Sequence, residues 1–329
     1  LAAGWAMLDA GDRRGLAPLA DLLDHPQPPL RRVAIQALRT ATGQRLGYAA
    51  LVKPDEQTEL IDRWRQWVKT DGRTAKLKPP RMNEGASRAF NRTLIARFQN
   101  GRVVEFDNAG KMIWQQQVNR PYGVQGLPNG HRLVGSFDDK AVYEYDGDGK
   151  RVWQKTGLPG GAMSVQRLQN GNTLIACSDA DRVLEVDENG SVVWQAAIDG
   201  RPVEAQRLDN KRTLVALQEQ RVVEVDPAGQ VVWSIDRLGN VQSAVRLPNG
   251  QTLVTLADAG KVVAYDRSGS PVRTIEDLQT PLDAALTDGG GIAVIEQRRG
   301  LTVIPPGGSR ELRIDLEDNN PILGRFDEF

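Results

Sequence analysis

Four glutamates recur at one position of a repeated segment: Glu105, Glu144, Glu185 and Glu224. Arg102, Arg182 and Arg221 open the same segment, and Lys261 stands in their slot. Carboxylates in number suggest acid–base catalysis, but that chemistry needs one pair at one site with pKa values pushed apart. One carboxylate per repeat fits structural ion pairing better, with Arg167, Arg207 and Arg246 as the expected partners. A second set lies in loops. Asp138, Asp179 and Asp258 share a loop position in three repeats, and Arg120, Tyr122 and Arg201 sit in connections expected on the same face. Loops held on a rigid scaffold are where binding residues concentrate. These six are the candidate partner-binding residues; the plain alternative is a solvated polar loop.

Other chemistries lack their parts. The Asp-x-x-Gly segments at 107–110, 146–149, 187–190, 226–229 and 266–269 resemble calcium loops only in composition. A calcium loop of the EF-hand kind spreads its ligands over about twelve residues and ends in Glu, whereas Asp and Gly suit a tight turn without any metal. No metal site is expected. His25 and His131 fall in different regions with no obvious carboxylate or serine partner, so no Ser-His-Asp arrangement is read. Cys177 is the single cysteine, which excludes an internal disulfide and cysteine-built zinc or iron–sulfur sites. It reads as a small core residue. No glycine-rich phosphate loop follows a strand. No catalytic residue is assigned, and the chain reads as an enzyme less readily than as a binding protein.

The elements that carry these residues are set by a period of about 40 residues. Trp114, Trp153, Trp194 and Trp233 stand 39, 41 and 39 residues apart, and Arg273 takes the tryptophan slot 40 residues later. A period of that size marks an array of supersecondary units. The clearest unit, 162–197, holds four short runs rich in Val, Leu and Ile separated by turn residues. Asn-Gly at 129–130, 170–171 and 249–250 marks two-residue hairpins, because both positions favour positive φ. Four meandering strands per unit is the pattern of a propeller blade. Six units follow, with second strands starting near Thr93, Arg132, Thr173, Thr213, Thr252 and Ile292. Inner strands are expected near 84–90, 121–127, 162–168, 202–208, 241–247 and 281–286. Both ends then hold complete blades, so ring closure need not exchange a strand; the 71–80 linker and the 317–329 tail are the segments available to cover an exposed edge.

Residues 1–70 follow a helical period: Leu16, Leu19 and Leu23, then Val33, Ala37, Leu38 and Ala41, then Leu60, Trp64 and Trp67. Asp12 is a plausible N-cap, Pro29 suits a first helical turn, and Gly43 a helix end. Residues 71–83 are polar and proline-containing and read as a linker. Lys plus Arg equals Asp plus Glu at 42 each, so no nucleic-acid or anionic-membrane partner is implied. No 18-residue apolar stretch predicts a membrane-spanning helix. The chain begins at Leu1, within what reads as a helix of a preceding repeat, and is expected to be processed or cut from a longer polypeptide.

The unit N-G-x-x-L-x-A … R-V-x-E-V-D-x-x-G-x-V-V-W-Q resembles the PQQ-like, quinoprotein-type propellers and also the arylsulfotransferase-like ones, over about 84–316. The resemblance implies that each Trp packs between blades and gives its N–H to a backbone carbonyl. The quinoprotein dehydrogenases have eight blades and an adjacent cysteine pair against the quinone. Six units and one cysteine do not match that, so neither PQQ nor another cofactor is expected. Arylsulfotransferases use channel histidines, and only His131 is available, at a hairpin. Residues 1–70 resemble a HEAT-type repeat.

The fold expected is mainly β: a six-bladed β-propeller with an N-terminal α-helical HEAT-like stack. The domains are 1–70 HEAT-like, 71–83 linker, 84–316 propeller and 317–329 C-terminal tail. The function expected is a non-catalytic protein-interaction scaffold within a larger assembly. Similar propellers act so in bacterial envelopes, which makes an extracytoplasmic setting the expected one. The alternative is a channel-site enzyme or small-ligand propeller, for example one binding a sugar, lined by Gln125, Gln166, Gln206 and Glu204.

Overall fold

The computed structural model describes residues 7–8, 11–26, 28–44, 46–48, 50, 52–77, 92–107, 110–127, 129–208, 210–247, 249–286, 291–297, 299–304, 311–315 and 326–328. The chain divides into two compact units, one built on Leu1–Phe90 and the other on Asn91–Thr287 with Gly291–Phe329.

The first unit is helical. Asp12 accepts from the Arg14 backbone N–H at 2.9 Å and caps the turn leading into helix α1, Leu16–Asp21. Helix α2, Pro28–Thr42, carries its two prolines in the first turn and ends at Gly43, whose φ is 71°. Helix α3 is Thr58–Lys69. Leu16, Leu19, Leu23, Leu38, Ile61 and Trp64 form the shared core. Arg31 is buried and donates to the carbonyls of His25, Pro26, Ala50 and Val52, tying two loops to one helix. Among the described residues these three helices, the first only six residues long, make a helical region and do not display the repeated pairs of a HEAT-type stack. Of the helix expected at Leu1, only Met7–Leu8 are described; they are helical, and Leu8 joins the same core.

The second unit is a ring of six four-stranded antiparallel sheets. From the inside out, blade 1 is Phe326–Glu328, Thr93–Arg97, Arg102–Phe106 and Met112–Gln117. Blade 2 is Pro121–Gly126, Arg132–Ser136, Ala141–Tyr145 and Arg151–Lys155. Blade 3 is Ala162–Arg167, Thr173–Cys177, Arg182–Val186 and Val192–Ala197. Blade 4 is Pro202–Arg207, Thr213–Leu217, Arg221–Val225 and Val231–Ile235. Blade 5 is Val241–Arg246, Thr252–Leu256, Lys261–Tyr265 and Pro271–Ile275. Blade 6 is Pro281–Leu286, Ile292–Glu296, Gly300–Ile304 and Glu311–Asp315. The second strands begin where the sequence placed them.

Ring closure departs from expectation. The inner strand of blade 1 is the C-terminal Phe326–Glu328, paired antiparallel with Thr93–Ile95; the segment 84–90 lies outside the described residues. The exchange ties the C-terminal segment into the first blade through backbone hydrogen bonds and covers the Thr93–Ile95 edge.

Two devices hold neighbouring blades together. Apolar sheet faces interlock, as in the cluster of Leu133, Val142, Ile175, Cys177 and Leu184 between blades 2 and 3. Each outer tryptophan also carries an arginine of the next blade on its ring: Arg132 over Trp114, Arg167 over Trp153, Arg207 over Trp194 and Arg246 over Trp233, at 4.6–4.8 Å. Each arginine then reaches the glutamate of the tryptophan's own blade. The distances are 2.6 Å for Arg132–Glu105, Arg167–Glu144 and Arg207–Glu185, and 2.5 Å for Arg246–Glu224. The indole N–H of Trp153, Trp194 and Trp233 donates to the carbonyls of Glu188, Pro227 and Arg267. A desolvated carboxylate is tolerable only when paired and hydrogen-bonded, which is why glutamate and arginine recur together. Between blades 5 and 6 both are absent: Ala264 and Leu286 belong to an apolar seam.

Candidate functional site

Antiparallel strands alternate direction, so the links between blades and the turns between second and third strands share one end of the ring. All six sequence-predicted residues fall there. Arg120, Asp138, Asp179, Arg201 and Asp258 are exposed. Arg120, with φ 42°, lies 4.5 Å over the Phe98 ring and donates to Asp138 at 3.1 Å. Asp179 accepts from the Gly161 N–H at 2.5 Å and stands 3.9 Å from Lys140. Arg201 meets Glu219 twice, through its backbone N–H at 2.6 Å and Nε at 2.7 Å. Asp258 accepts from Asn240 at 3.2 Å.

Tyr122 differs from the other five. It is 7 % exposed, and its hydroxyl lies 3.3 Å from Gln242 Oε1. Blades 2 and 5 are opposite one another in a ring of six, so this contact crosses the axis at this end. Phe98 packs edge-on against both Tyr122 and Phe137.

Deeper along the axis, inner-strand side chains are engaged by the adjacent blade. Gln125, Gln166 and Gln206 accept from the backbone N–H of Arg167, Arg207 and Arg246 at 2.6–2.8 Å. Glu204 accepts from Ala244 N–H at 2.8 Å. Inner strands have an unpaired backbone edge toward the channel, and these acceptors cover it. Asp327 does the same for Gly126 at 2.8 Å. The sequence reading offered the three glutamines and Glu204 as channel lining for a ligand; each of the four has an oxygen bonded to the fold.

Sequence reasoning missed several residues of this face. Glu219 holds the slot of Asp138, Asp179 and Asp258, but a search for aspartate alone passed over it. Phe98 and Phe137 open the corresponding turns of blades 1 and 2, a recurrence that was available and unused. Asp139 accepts from Asn119 and from the Tyr143 hydroxyl, each at 3.0 Å. His131, read as lacking a carboxylate partner, has Glu144 at 2.7 Å, on the opposite end of the ring.

The electrostatics describe paired surface groups. Burial pushes Glu219 up, but the side-chain and backbone hydrogen bonds of Arg201 outweigh it and hold the carboxyl below its ordinary value. Burial and the Asp139 hydrogen bond push Tyr143 up to about 12, so it stays protonated. Burial likewise takes the Cys177 thiol up to about 12, which removes the reactive thiolate. Among the described residues no group of three His, Cys, Asp or Glu side chains is placed to hold a metal ion. A cavity of about 340 Å³ opens beside Phe98, Asn100, Gln117 and Arg120.

Six four-stranded blades joined by a tryptophan–arginine–glutamate seam define a six-bladed β-propeller. Its sequence is similar, over residues 138–288, to the family described as outer membrane protein assembly factor BamB. No curated protein matches the chain. Among solved structures, a protein of unknown function from Bacteroides caccae is 18% identical with TM-score 0.62, covering 70% of this chain and 96% of its own. The WD40 β-propeller domain of Doa1 is 16% identical with TM-score 0.57, covering 71% and 81%. BBS1N, crystallised in complex with ARL6DN, is 13% identical with TM-score 0.52, covering 72% and 79%. These likenesses establish the fold alone. Among the described residues no helix is long and apolar enough to cross a membrane.

Proposed function

We propose that this chain is a non-catalytic scaffold that binds a protein partner through the loop face of blades 1–5, outside the cytoplasm and within a larger assembly. The observation that carries the reading is the Tyr122–Gln242 contact across the axis. It spans the channel mouth, with Tyr122 buried, and puts the surrounding loops forward as the surface on offer. Arg120, Asp138, Asp179, Arg201 and Asp258, joined by Glu219, are the contact residues, and Tyr122 sets the floor between them. The similarity to an outer-membrane assembly factor family supports both the setting and the assembly. The helical unit, HEAT-like in its sequence pattern, adds a second surface of the same kind.

The test is mild affinity purification of the native protein followed by mass spectrometry, repeated with D138N/D179N/E219Q/D258N. A stoichiometric protein partner that the quadruple variant captures at least about tenfold less well, while the variant still melts cooperatively as a folded protein, is the expected result. Capture unaffected by the variant removes the site assignment. Recovery of the chain alone removes the scaffold reading.

A further inference from the structure

The four glutamate seams are not equivalent. Glu105 meets Arg132 and Arg92, Glu144 meets Arg167 and His131, and Glu185 meets Arg207 and the neutral Asn172. Glu224 alone among them meets three arginines. Arg246 Nη2 lies at 2.5 Å, Arg212 Nη1 at 3.5 Å, and Arg267 bonds the same Oε1 as Arg246. The carboxylate is buried, while the side chains of Arg212 and Arg267 are 39% and 50% exposed.

The repeat shows how unusual this is. The slot of Arg212, just before the second strand, holds Arg92, His131, Asn172 and Gln251 in blades 1, 2, 3 and 5. The slot of Arg267, second in the following turn, holds Gly147, Glu188 and Pro227 in blades 2, 3 and 4. Only the junction of blades 4 and 5 brings an arginine from both.

The charges there do not cancel. One carboxylate compensates one guanidinium, and two remain. Arg246 and Arg267 also share the Trp233 ring, at 4.8 and 4.9 Å, so like charges are crowded together. Burial lowers the Arg246 pKa and Arg267 lowers it further, against the pull of Glu224. A guanidinium has five N–H donors in a planar fork. Side-chain hydrogen bonds to the described residues engage Nη1 and Nη2 of Arg267 and only Nη1 of Arg212, all on Glu224. Lys211 adds a further exposed cation next to Arg212.

We propose that Arg212 and Arg267, converging at the seam of blades 4 and 5, form a binding site for an anionic oxygen group, a phosphate or a carboxylate. Forked guanidiniums suit both, because each presents parallel N–H groups to two oxygens. The site lies on the hairpin end of the ring, opposite the loop face, and stands independently of the scaffold reading. Glu224 fixes the two forks from behind, and Arg246 keeps Glu224 paired if either fork is removed.

The test is isothermal titration of the full chain with inorganic phosphate and, separately, with acetate, at constant ionic strength set by sodium chloride. Saturable binding of at least one anion is expected, with phosphate or acetate as the tighter ligand identifying the group. Losing one charged hydrogen-bonding fork should weaken it about tenfold or more, so R212Q and R267Q should each do so. R92Q, at the seam of blades 1 and 2, should bind as the parent does. Melting curves of both variants check that the fold persists, since Arg246 still pairs Glu224. Absence of saturable binding by either anion, or equal binding by a folded R212Q and R267Q, overturns the proposal.

Discussion

The hydroxyl of Tyr122 reaches Gln242 Oε1 at 3.3 Å from the opposite side of the ring. The two residues are 120 positions apart, so the contact exists only when all the blades between them are in register. Tyr122→Phe removes one neutral hydrogen bond and should cost about 0.5–1.5 kcal/mol. Tyr122→Ala also removes the buried ring that packs on Phe98, and should cost about 3–5 kcal/mol. Urea unfolding of the two variants checks the ordering. Equal losses would mean that the ring fills no space.

Gly260 and Lys140 occupy the same turn position with φ of 59° and 47°, and the carbonyl of each accepts from a leucine N–H of the following link, Leu278 and Leu158, at 3.0 Å. A Cβ on Gly260 would lie 2.7 Å from the Leu278 carbonyl oxygen, so Gly260→Ala combines left-handed strain with a clash and should destabilise by about 2 kcal/mol or more. Lys140→Gly relieves left-handed strain while loosening the unfolded chain. The two effects oppose, and the expected net gain is at most about 1 kcal/mol. Thermal melts of both variants test the contrast. A stabilised Gly260→Ala would refute it.

The period, the blade count and the starts of the second strands were legible because tryptophan and turn residues recur at fixed intervals. The glutamate–arginine seam was legible in part. Arg167, Arg207 and Arg246 repeat with their glutamates, but Arg132 replaces them at Glu105 from a different strand, since blade 2 has Gly126 in the arginine slot. The closure was not legible. Phe326–Glu328 is three residues long and carries no turn or tryptophan signature. Its one clue is Asp327, which pairs with Leu94 as Gln166 pairs with Leu174, and so fills the glutamine slot of the inner ladder. Of the loop face, the aspartates were found by position, whereas the burial of Tyr122 depends on a residue three blades away and has no local signal.

The Arg201–Glu219 pair gives the loop face a pH-dependent element. Glu219 has its folded pKa depressed below the ordinary 4.5. Its contribution is therefore present above the unfolded pKa and is lost as pH falls through the folded value. The pair is about half exposed, so its worth at pH 7 is at most about 1 kcal/mol. Glu219→Gln should be less stable than the parent at pH 7 and indistinguishable from it at about pH 3. A difference that persists in acid would place the effect outside the ion pair.

Asp327 accepts from the Gly126 N–H at 2.8 Å and so links the C-terminal strand of blade 1 to the inner strand of blade 2. That bond acts on the shortest of the described strands, three residues long and held to Thr93–Ile95. Asp327→Ala leaves a backbone donor without its acceptor and should destabilise by about 1–3 kcal/mol. Asp327→Asn keeps an acceptor of similar reach and should retain most of the stability, as the glutamines do at the equivalent sites. Removing residues 326–329 exposes the Thr93–Ile95 edge altogether, and exposed edges recruit other chains. The truncated protein should therefore melt earlier and self-associate, measured by calorimetry and light scattering. A monomeric truncation with an unchanged melting temperature would mean that the ring closes without its C-terminal strand.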